Sequence, residues 1–185
     1  MAGRFFTFYG GSQGPWRVRS LRAITGEALP PAQRVLVAAD GGSATGFGWC
    51  LRGITSNERY VEKDEHRELV ARQQGLGRAD STFAALIPIR KTAEWWALSQ
   101  DERREVFEEQ SKHIQVGLRY LPAIARRLHH CRDVSASEPF DFLTWFEYPP
   151  SSEPAFEELL TELRASAEWR YVDREVDIRL LKAEG

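Results

Sequence analysis

The chain has 185 residues, and its 42% hydrophobic and 11% aromatic content is sufficient to bury one sizeable core or two small fused halves. A formal net charge of -2 with interspersed signs leaves no basic stripe, which argues against binding to nucleic acids or to an anionic membrane surface. No stretch approaches the roughly 20 apolar residues of a membrane span, and the first residues lack a signal-peptide core. We therefore expect a cytoplasmic protein without nucleic-acid or membrane partners, in which Cys50 and Cys131 are buried thiols.

Short strands are predicted in the first third of the chain. Hydrophobic runs bounded by glycine-rich turns place these strands at residues 4–9, 16–21, 34–39 and 47–54. The glycine-rich segment 41–46 lacks the Lys-Ser/Thr ending of a phosphate-binding loop, so we interpret it as an ordinary loop. A charged surface helix is predicted over residues 62–73, and it ends before Gly75.

Strands and helices alternate in the rest of the chain. The predicted strands are 82–89, 140–148 and 170–180, and the predicted helices are 91–96, 100–120 and 156–163. Pro88 indicates an edge strand or a bulge, because proline lacks the amide donor that a central strand needs. Ser99 and Glu102 form a capping box at the start of the long helix. The pattern predicts an α+β fold in which helices cover one side of a sheet.

The stretch 111–131 carries the most suggestive side chains. His113 lies beside the apolar stripe of the long predicted helix, and Pro122 bends or ends that helix. A short helical piece is then expected to carry Arg126 and Arg127. A single helical histidine is usually structural, yet imidazole is the commonest metal ligand in proteins. An arginine that faces inward from this apolar setting needs an anionic partner.

Other motifs give little support to common enzyme classes. The sequence contains no Gly-x-Ser-x-Gly elbow, zinc-protease motif, Walker loop or Rossmann fingerprint. The adjacent His-His-Cys at 129–131 is not expected to bind zinc, because three consecutive side chains point in divergent directions. Trp95 and Trp96 are expected to pack in a core or interface, although flat aromatic surfaces also wall a porphyrin.

Several sequence blocks resemble the chlorite dismutase family. They are WCLRGITSNERY at 49–60, ALIPIRK at 85–91, EWW at 94–96, QDERR at 100–104, YLPAIARR at 120–127, FDFLTWFEY at 140–148 and REVDIR at 174–179. The short chain is similar to the dimeric branch of that family. The resemblance implies a ferredoxin-like, dimeric α+β barrel, with an abbreviated N-terminal half at 1–80 and a complete half at 81–185 that binds haem b.

The resemblance also implies roles for individual residues. His113 corresponds to the proximal ligand of the haem iron, and Arg126 to the distal catalytic arginine, with Arg127 as the adjacent alternative. Glu168 corresponds to the acid that accepts a hydrogen bond from the far ring nitrogen of the histidine. The other implied cofactor contacts are Tyr60, Lys91 and Trp95 near the propionates, and Gln73 or Gln74, Thr144 and Phe146 on the distal side.

The implied reaction converts chlorite to chloride and dioxygen. Ferric haem takes an oxygen atom from chlorite to leave a ferryl species and hypochlorite, which the permanently charged Arg126 retains until the oxygens combine. The expected partners are therefore chlorite, other small anions and a second copy of the chain. Two alternatives stay open: a coproheme decarboxylase-like or peroxidase-like haem enzyme, and a non-enzymatic haem carrier or sensor.

Overall fold

The described strands close into an antiparallel β-barrel. The structure is a computed structural model, and it describes residues 4–40, 44–55 and 75–183. The strands are β1 (Phe5–Gly11), β2 (Trp16–Thr25), β3 (Arg34–Ala39), β4 (Trp49–Ile54), β5 (Phe83–Lys91), β6 (Ala125–His130), β7 (Phe142–Tyr148) and β8 (Val172–Lys182). Around the barrel they follow the order β1, β3, β2, β8, β5, β7, β6 and β4, and all neighbours run antiparallel. The division into halves at residue 80 stays a prediction.

Short helices connect the strands of the second half. They are α1 (Ala93–Ala97), α2 (Gln100–Arg104), a π-helical segment (Glu105–Gln110), α3 (His113–Arg119), α4 (Glu153–Arg164) and two 3₁₀ turns (Pro150–Ser152 and Ala167–Tyr171). The predicted capping box is present, because Ser99 Oγ accepts from the amide of Glu102 and the Glu102 carboxylate accepts from the amide of Ser99. Among the helices of the described ranges, none combines the length and apolar character that a membrane crossing needs.

Two apolar cores lie on opposite faces of the sheet. Alternate residues of the strands, such as Phe8, Trp145 and Val176, fill the barrel interior. A second core packs the apolar face of α4, including Phe156, against the outer face of the sheet, including Phe146. Helix α4 therefore covers the sheet through its 3.6-residue apolar stripe, as the sequence predicted.

The long helix predicted over residues 100–120 is wrong as a continuous element. The chain passes from α2 into the π-helical segment, and Lys112 then adopts a left-handed conformation with a φ of 51°. Helix α3 begins at the next residue, His113. His113 therefore opens a new helix instead of lying in the middle of an older one.

The helical piece predicted after Pro122 is a strand, β6. Residues 125–130 pair with β7 over their whole length, from Ala125 opposite Glu147 to His130 opposite Phe142. This pairing overrides the helix-forming tendency of the Ala-Arg-Arg-Leu sequence. As a result, successive side chains of β6 point to opposite faces of the sheet.

Three smaller expectations can also be compared with the structure. The edge-strand reading of Pro88 is wrong, since β5 lies between β7 and β8 and Pro88 is opposite Leu143; a register shift follows at residues 90–91. Cys131 is buried as expected, whereas Cys50 is exposed. The helix predicted over residues 62–73 lies outside the described residues.

Candidate functional site

A cavity of about 280 Å³ lies between the outer face of β5, β6 and β7 and the helices α3 and α4. Its wall is mainly apolar, with contributions such as Ile87 and Leu160. The predicted site residues that line it are Lys91, Trp95, His113, Arg126, Arg127, Thr144, Phe146 and Glu168. Tyr60, Gln73 and Gln74 lie outside the described residues. An apolar pocket with a few convergent polar groups is the usual form of a small-molecule site.

His113, Glu168 and Lys91 form a hydrogen-bonded chain on the helix side of this cavity. His113 Nδ1 lies 2.7 Å from one carboxylate oxygen of Glu168, and Lys91 Nζ donates to the other oxygen at 2.6 Å. The side chains of Glu168 and Lys91 are only 6% and 4% exposed. The ion pair of Lys91 and Glu168 is therefore shielded from water, where charge-assisted hydrogen bonds are strong.

The pKa of Glu168 reflects these neighbours. Burial alone would raise the pKa of this carboxyl, but the charges of His113 and Lys91 and their hydrogen bonds lower it to about 2. Lys91 Nζ also lies 4.5 Å from the centroid of the Trp95 ring, a cation–π contact. Glu168 is thus an anion that accepts a hydrogen bond from Nδ1–H of His113, and the other ring nitrogen, Nε2, is left for a ligand.

Hydrogen bonds from side chains to the backbone fix the positions of the elements that carry His113 and Glu168. Ser111 Oγ donates to the carbonyl of Val106 at 2.6 Å and accepts from the amide of Glu168 at 2.8 Å. Glu108 accepts from the amide of Ile114 at 2.7 Å and so caps the first turn of α3. These bonds join the π-helical segment, α3 and the turn at Ala167–Tyr171 into one unit.

Phe107 restricts the orientation of the imidazole. Its ring stacks on the His113 ring with centroids 4.3 Å apart and an interplanar angle of 23°. The side chain of His113 is 19% exposed. With one face covered and Nδ1 bonded, the ring has few orientations left, which is typical of a preorganised ligand.

Arg126 and Arg127 lie on opposite faces of β6. Residues directly opposite in an antiparallel pair share a face, and Arg126 is opposite Phe146 whereas Arg127 is opposite Trp145. Phe146 lines the cavity, and Trp145 belongs to the barrel core. The guanidinium of Arg126 extends toward α3, since a Cβ added to Gly117 would lie 3.3 Å from Arg126 Nη1.

Arg127 is bound inside the barrel instead. Its Nε donates to His129 Nε2 at 3.0 Å, and its guanidinium lies 3.8 Å from the centroid of the Phe6 ring. Burial lowers the pKa of Arg127. Although Arg127 borders the cavity, its charged end contacts the barrel side, so Arg126 is the arginine that faces the helices across the cavity.

Comparisons with known proteins show the family of the chain. The sequence profile described as chlorite dismutase matches residues 21–181. The chain belongs to the chlorite dismutase family. It is similar to the dimeric chlorite dismutase of Nitrobacter winogradskyi, whose crystal structure is 52% identical with a TM-score of 0.90 over 96% of this chain and 99% of that chain. The predicted fold class, a ferredoxin-like α+β barrel of the short branch, is confirmed by this match.

More distant chlorite dismutases share the fold. The enzyme of Candidatus Nitrospira defluvii in complex with imidazole is 22% identical, with a TM-score of 0.68 over 97% of this chain and 91% of that chain. The chlorite dismutase of Ideonella dechloratans is 31% identical over 123 residues, which are 65% of this chain. The match spans 40% of the length of that protein.

Three residues that line or support this cavity were not singled out in the sequence. Phe107 was counted only in an apolar stripe. Ser111 carried no signal, because its partners are backbone groups, one of them on Glu168, which is 57 residues away. Gly117 had a usable signal: it follows His113 by four positions, so the two residues share one helix face. The contact of Lys91 with Glu168, 77 residues apart, was also not predicted.

Proposed function

We propose that this member of the chlorite dismutase family binds haem b and converts chlorite to chloride and dioxygen. The observation that carries the proposal is the pair of side chains on opposite walls of one apolar cavity. His113, bonded through Nδ1 to Glu168, lies on the helix wall, and Arg126 extends from the sheet wall. Such a pair can bind a metal on one side and an anion on the other.

The donor set fits an iron porphyrin. No three His, Cys, Asp or Glu side chains of the described residues gather into a metal site. A metal at His113 therefore needs most of its ligands from a bound group, and a porphyrin supplies four nitrogens in a plane. The apolar wall and the carboxylate-bonded imidazole are features that haem sites share.

Bound haem supplies the oxygen-atom transfer that splits chlorite. Arg126 binds the incoming anion and retains hypochlorite, because its guanidinium stays charged and presents donors in a fixed fork. Thr144 and Phe146, which line the cavity beside Arg126, keep this side small and poor in water. Glu168 accepts the hydrogen bond from His113 and increases the electron donation of the imidazole. Lys91 acts through Glu168 by fixing the carboxylate.

The expectation of a dimer rests on a similar protein. The Nitrobacter winogradskyi chlorite dismutase, which covers nearly the whole chain, is described as dimeric. We expect the same state here. Size-exclusion chromatography with light scattering measures it, and a monomer at working concentration would contradict the expectation.

The test of function is an absorption spectrum of the haem-loaded protein followed by an oxygen-electrode trace after chlorite is added. The expected result is one haem per chain and release of one dioxygen per chlorite. Haem binding without dioxygen release would instead favour a carrier, a sensor or a coproheme decarboxylase-like enzyme. Absence of haem binding would overturn the proposal.

Alanine variants of His113, Arg126 and Arg127 distinguish the roles of these three residues. His113→Ala is expected to bind haem weakly. Arg126→Ala should retain haem and lower chlorite turnover about 100-fold, as loss of one preorganised donor does. Arg127→Ala is the matched control, since it removes an arginine from the next position; its main effect should be on stability through His129. A larger turnover loss in Arg127→Ala than in Arg126→Ala would reassign the catalytic arginine.

A further inference from the structure

We propose that Gly117 admits a planar tetrapyrrole to His113 because it adds no side-chain atoms to the cavity-facing surface of α3 one turn after His113. The inference rests on the proposed haem-binding function and adds a residue that determines which ring can bind. Gly117 is buried and lines the cavity together with His113. Residues four apart on a helix lie one above the other on one face.

The backbone does not require glycine at this position. Gly117 lies inside the seven-residue helix α3, and it is absent from the glycines with positive φ, which are Gly14, Gly26, Gly46 and Gly77. Glycine is the least favourable residue in a helix interior after proline, so its presence in so short a helix lowers helix stability. Space beside the helix is the remaining physical reason for it.

The atoms nearest to the space beside Gly117 belong to the end of a flexible side chain. The three atoms nearest to a Cβ added at Gly117 are all in the Arg126 guanidinium, at 3.3, 3.7 and 3.8 Å. A displacement of the Arg126 guanidinium by a few tenths of an ångström relieves the shortest of these contacts. Alanine at position 117 is therefore compatible with the polypeptide itself.

A ring bound to His113 cannot move aside in the same way. A ring held by His113 would have little freedom to shift, because the imidazole is itself fixed by Glu168 and Phe107. A methyl group one helical turn from the ligand would therefore press on the ring and not on a side chain that can turn. The same substitution should be harmless to the haem-free protein and harmful to haem binding.

The experiment compares Gly117→Ala and Gly117→Leu with Gln115→Ala, an exposed position on the same helix. Two properties are measured: the thermal midpoint of the haem-free protein and the dissociation constant of haem b by absorbance titration. We expect Gly117→Ala to have an equal or higher midpoint and a haem dissociation constant raised about 10- to 100-fold, the range that overpacking produces. Gly117→Leu should bind haem more weakly still, and Gln115→Ala should match the wild type.

Each outcome has one meaning. Equal haem affinity in the wild type and all three variants overturns the inference and leaves the proposed function intact. A lower thermal midpoint of haem-free Gly117→Ala also overturns it, because the glycine would then serve the packing of the polypeptide. If the wild type binds no haem, the proposed function fails and the inference fails with it.

Discussion

His113 Nδ1 and Glu168 Oε2 lie 2.7 Å apart, and the second carboxylate oxygen of Glu168 is bonded to Lys91. Replacement of Glu168 by Gln removes the negative charge and keeps the shape of the side chain. We expect a more positive iron reduction potential, because a neutral partner makes the imidazole a weaker electron donor. Loss of such a partner lowers metal affinity or activity about 10- to 100-fold. Spectroelectrochemical titration of the haem-loaded variant measures the potential.

Glu162→Gln is the control for this prediction. Glu162 is a carboxylate of α4 that accepts hydrogen bonds from Arg119 and Tyr120, at the opposite end of α3 from His113. Its replacement should leave the reduction potential unchanged. An unchanged potential in Glu168→Gln as well would show that the carboxylate does not tune the ligand.

Lys91→Met is expected to destabilise the haem-free protein. The change leaves the buried Glu168 carboxylate without its lysine partner, and breaking a buried ion pair from one side costs about 3 kcal/mol. Urea denaturation measures the free energy of unfolding. The double variant Lys91→Met/Glu168→Gln should lose less stability than Lys91→Met alone, since no unpaired charge remains. Strictly additive losses would contradict this coupling.

Stability should decrease in mild acid because of His129. Burial lowers the pKa of His129 from 6.5 to about 4, against a smaller opposing effect of its bond to the Leu143 carbonyl. Between these two values the unfolded chain binds a proton that the folded chain does not, so the free energy of unfolding falls as pH falls. Integration from about pH 7 to about pH 5 gives a loss of about 2 kcal/mol.

Urea denaturation at several pH values measures this dependence. His129→Gln is the informative variant, because an amide can still accept from Arg127 and donate to the carbonyl but does not titrate. Its stability should vary less between the two pH values. The same pH dependence in the variant and the wild type would assign the effect to other groups.

Ser111→Ala tests the hydrogen bonds that join the π-helical segment to the backbone of Glu168. The hydroxyl satisfies a carbonyl and an amide that are both shielded from water, so its loss should lower the free energy of unfolding by about 1–3 kcal/mol. Ser137→Ala, at an exposed loop position, is the control and should have little effect. Equal losses in the two variants would indicate that the Ser111 bonds contribute no more than surface ones.

Local periodicity was sufficient for most of the strands. Residues 34–39 were predicted with the observed bounds, and the alternation over residues 140–148 placed Thr144 and Phe146 on one face, where both line the cavity. The family resemblance supplied the remaining site residues. Periodicity could not supply the barrel order, because β2 pairs with β8 at the far end of the chain.

The two wrong helix predictions have different causes. The apolar spacing continues across Lys112 without a Gly or Pro, and the break there depends on the side chains of Glu108 and Ser111. Residues 125–130 favour a helix by composition, and only pairing with β7 makes them a strand. The sequence also left Arg126 and Arg127 as alternatives; strand geometry separates them because it sends neighbours to opposite faces.

The register of β6 therefore decides which of the two arginines faces the cavity. In the described residues β6 has one paired position with β4, at Ile54 and His130, so β7 alone aligns most of it. Removal of one residue from the connection between Pro122 and β6 would slide the strand and exchange the two arginines between cavity and barrel. The position of Arg126 in the cavity therefore depends on the length of this connection as well as on the identity of the residue.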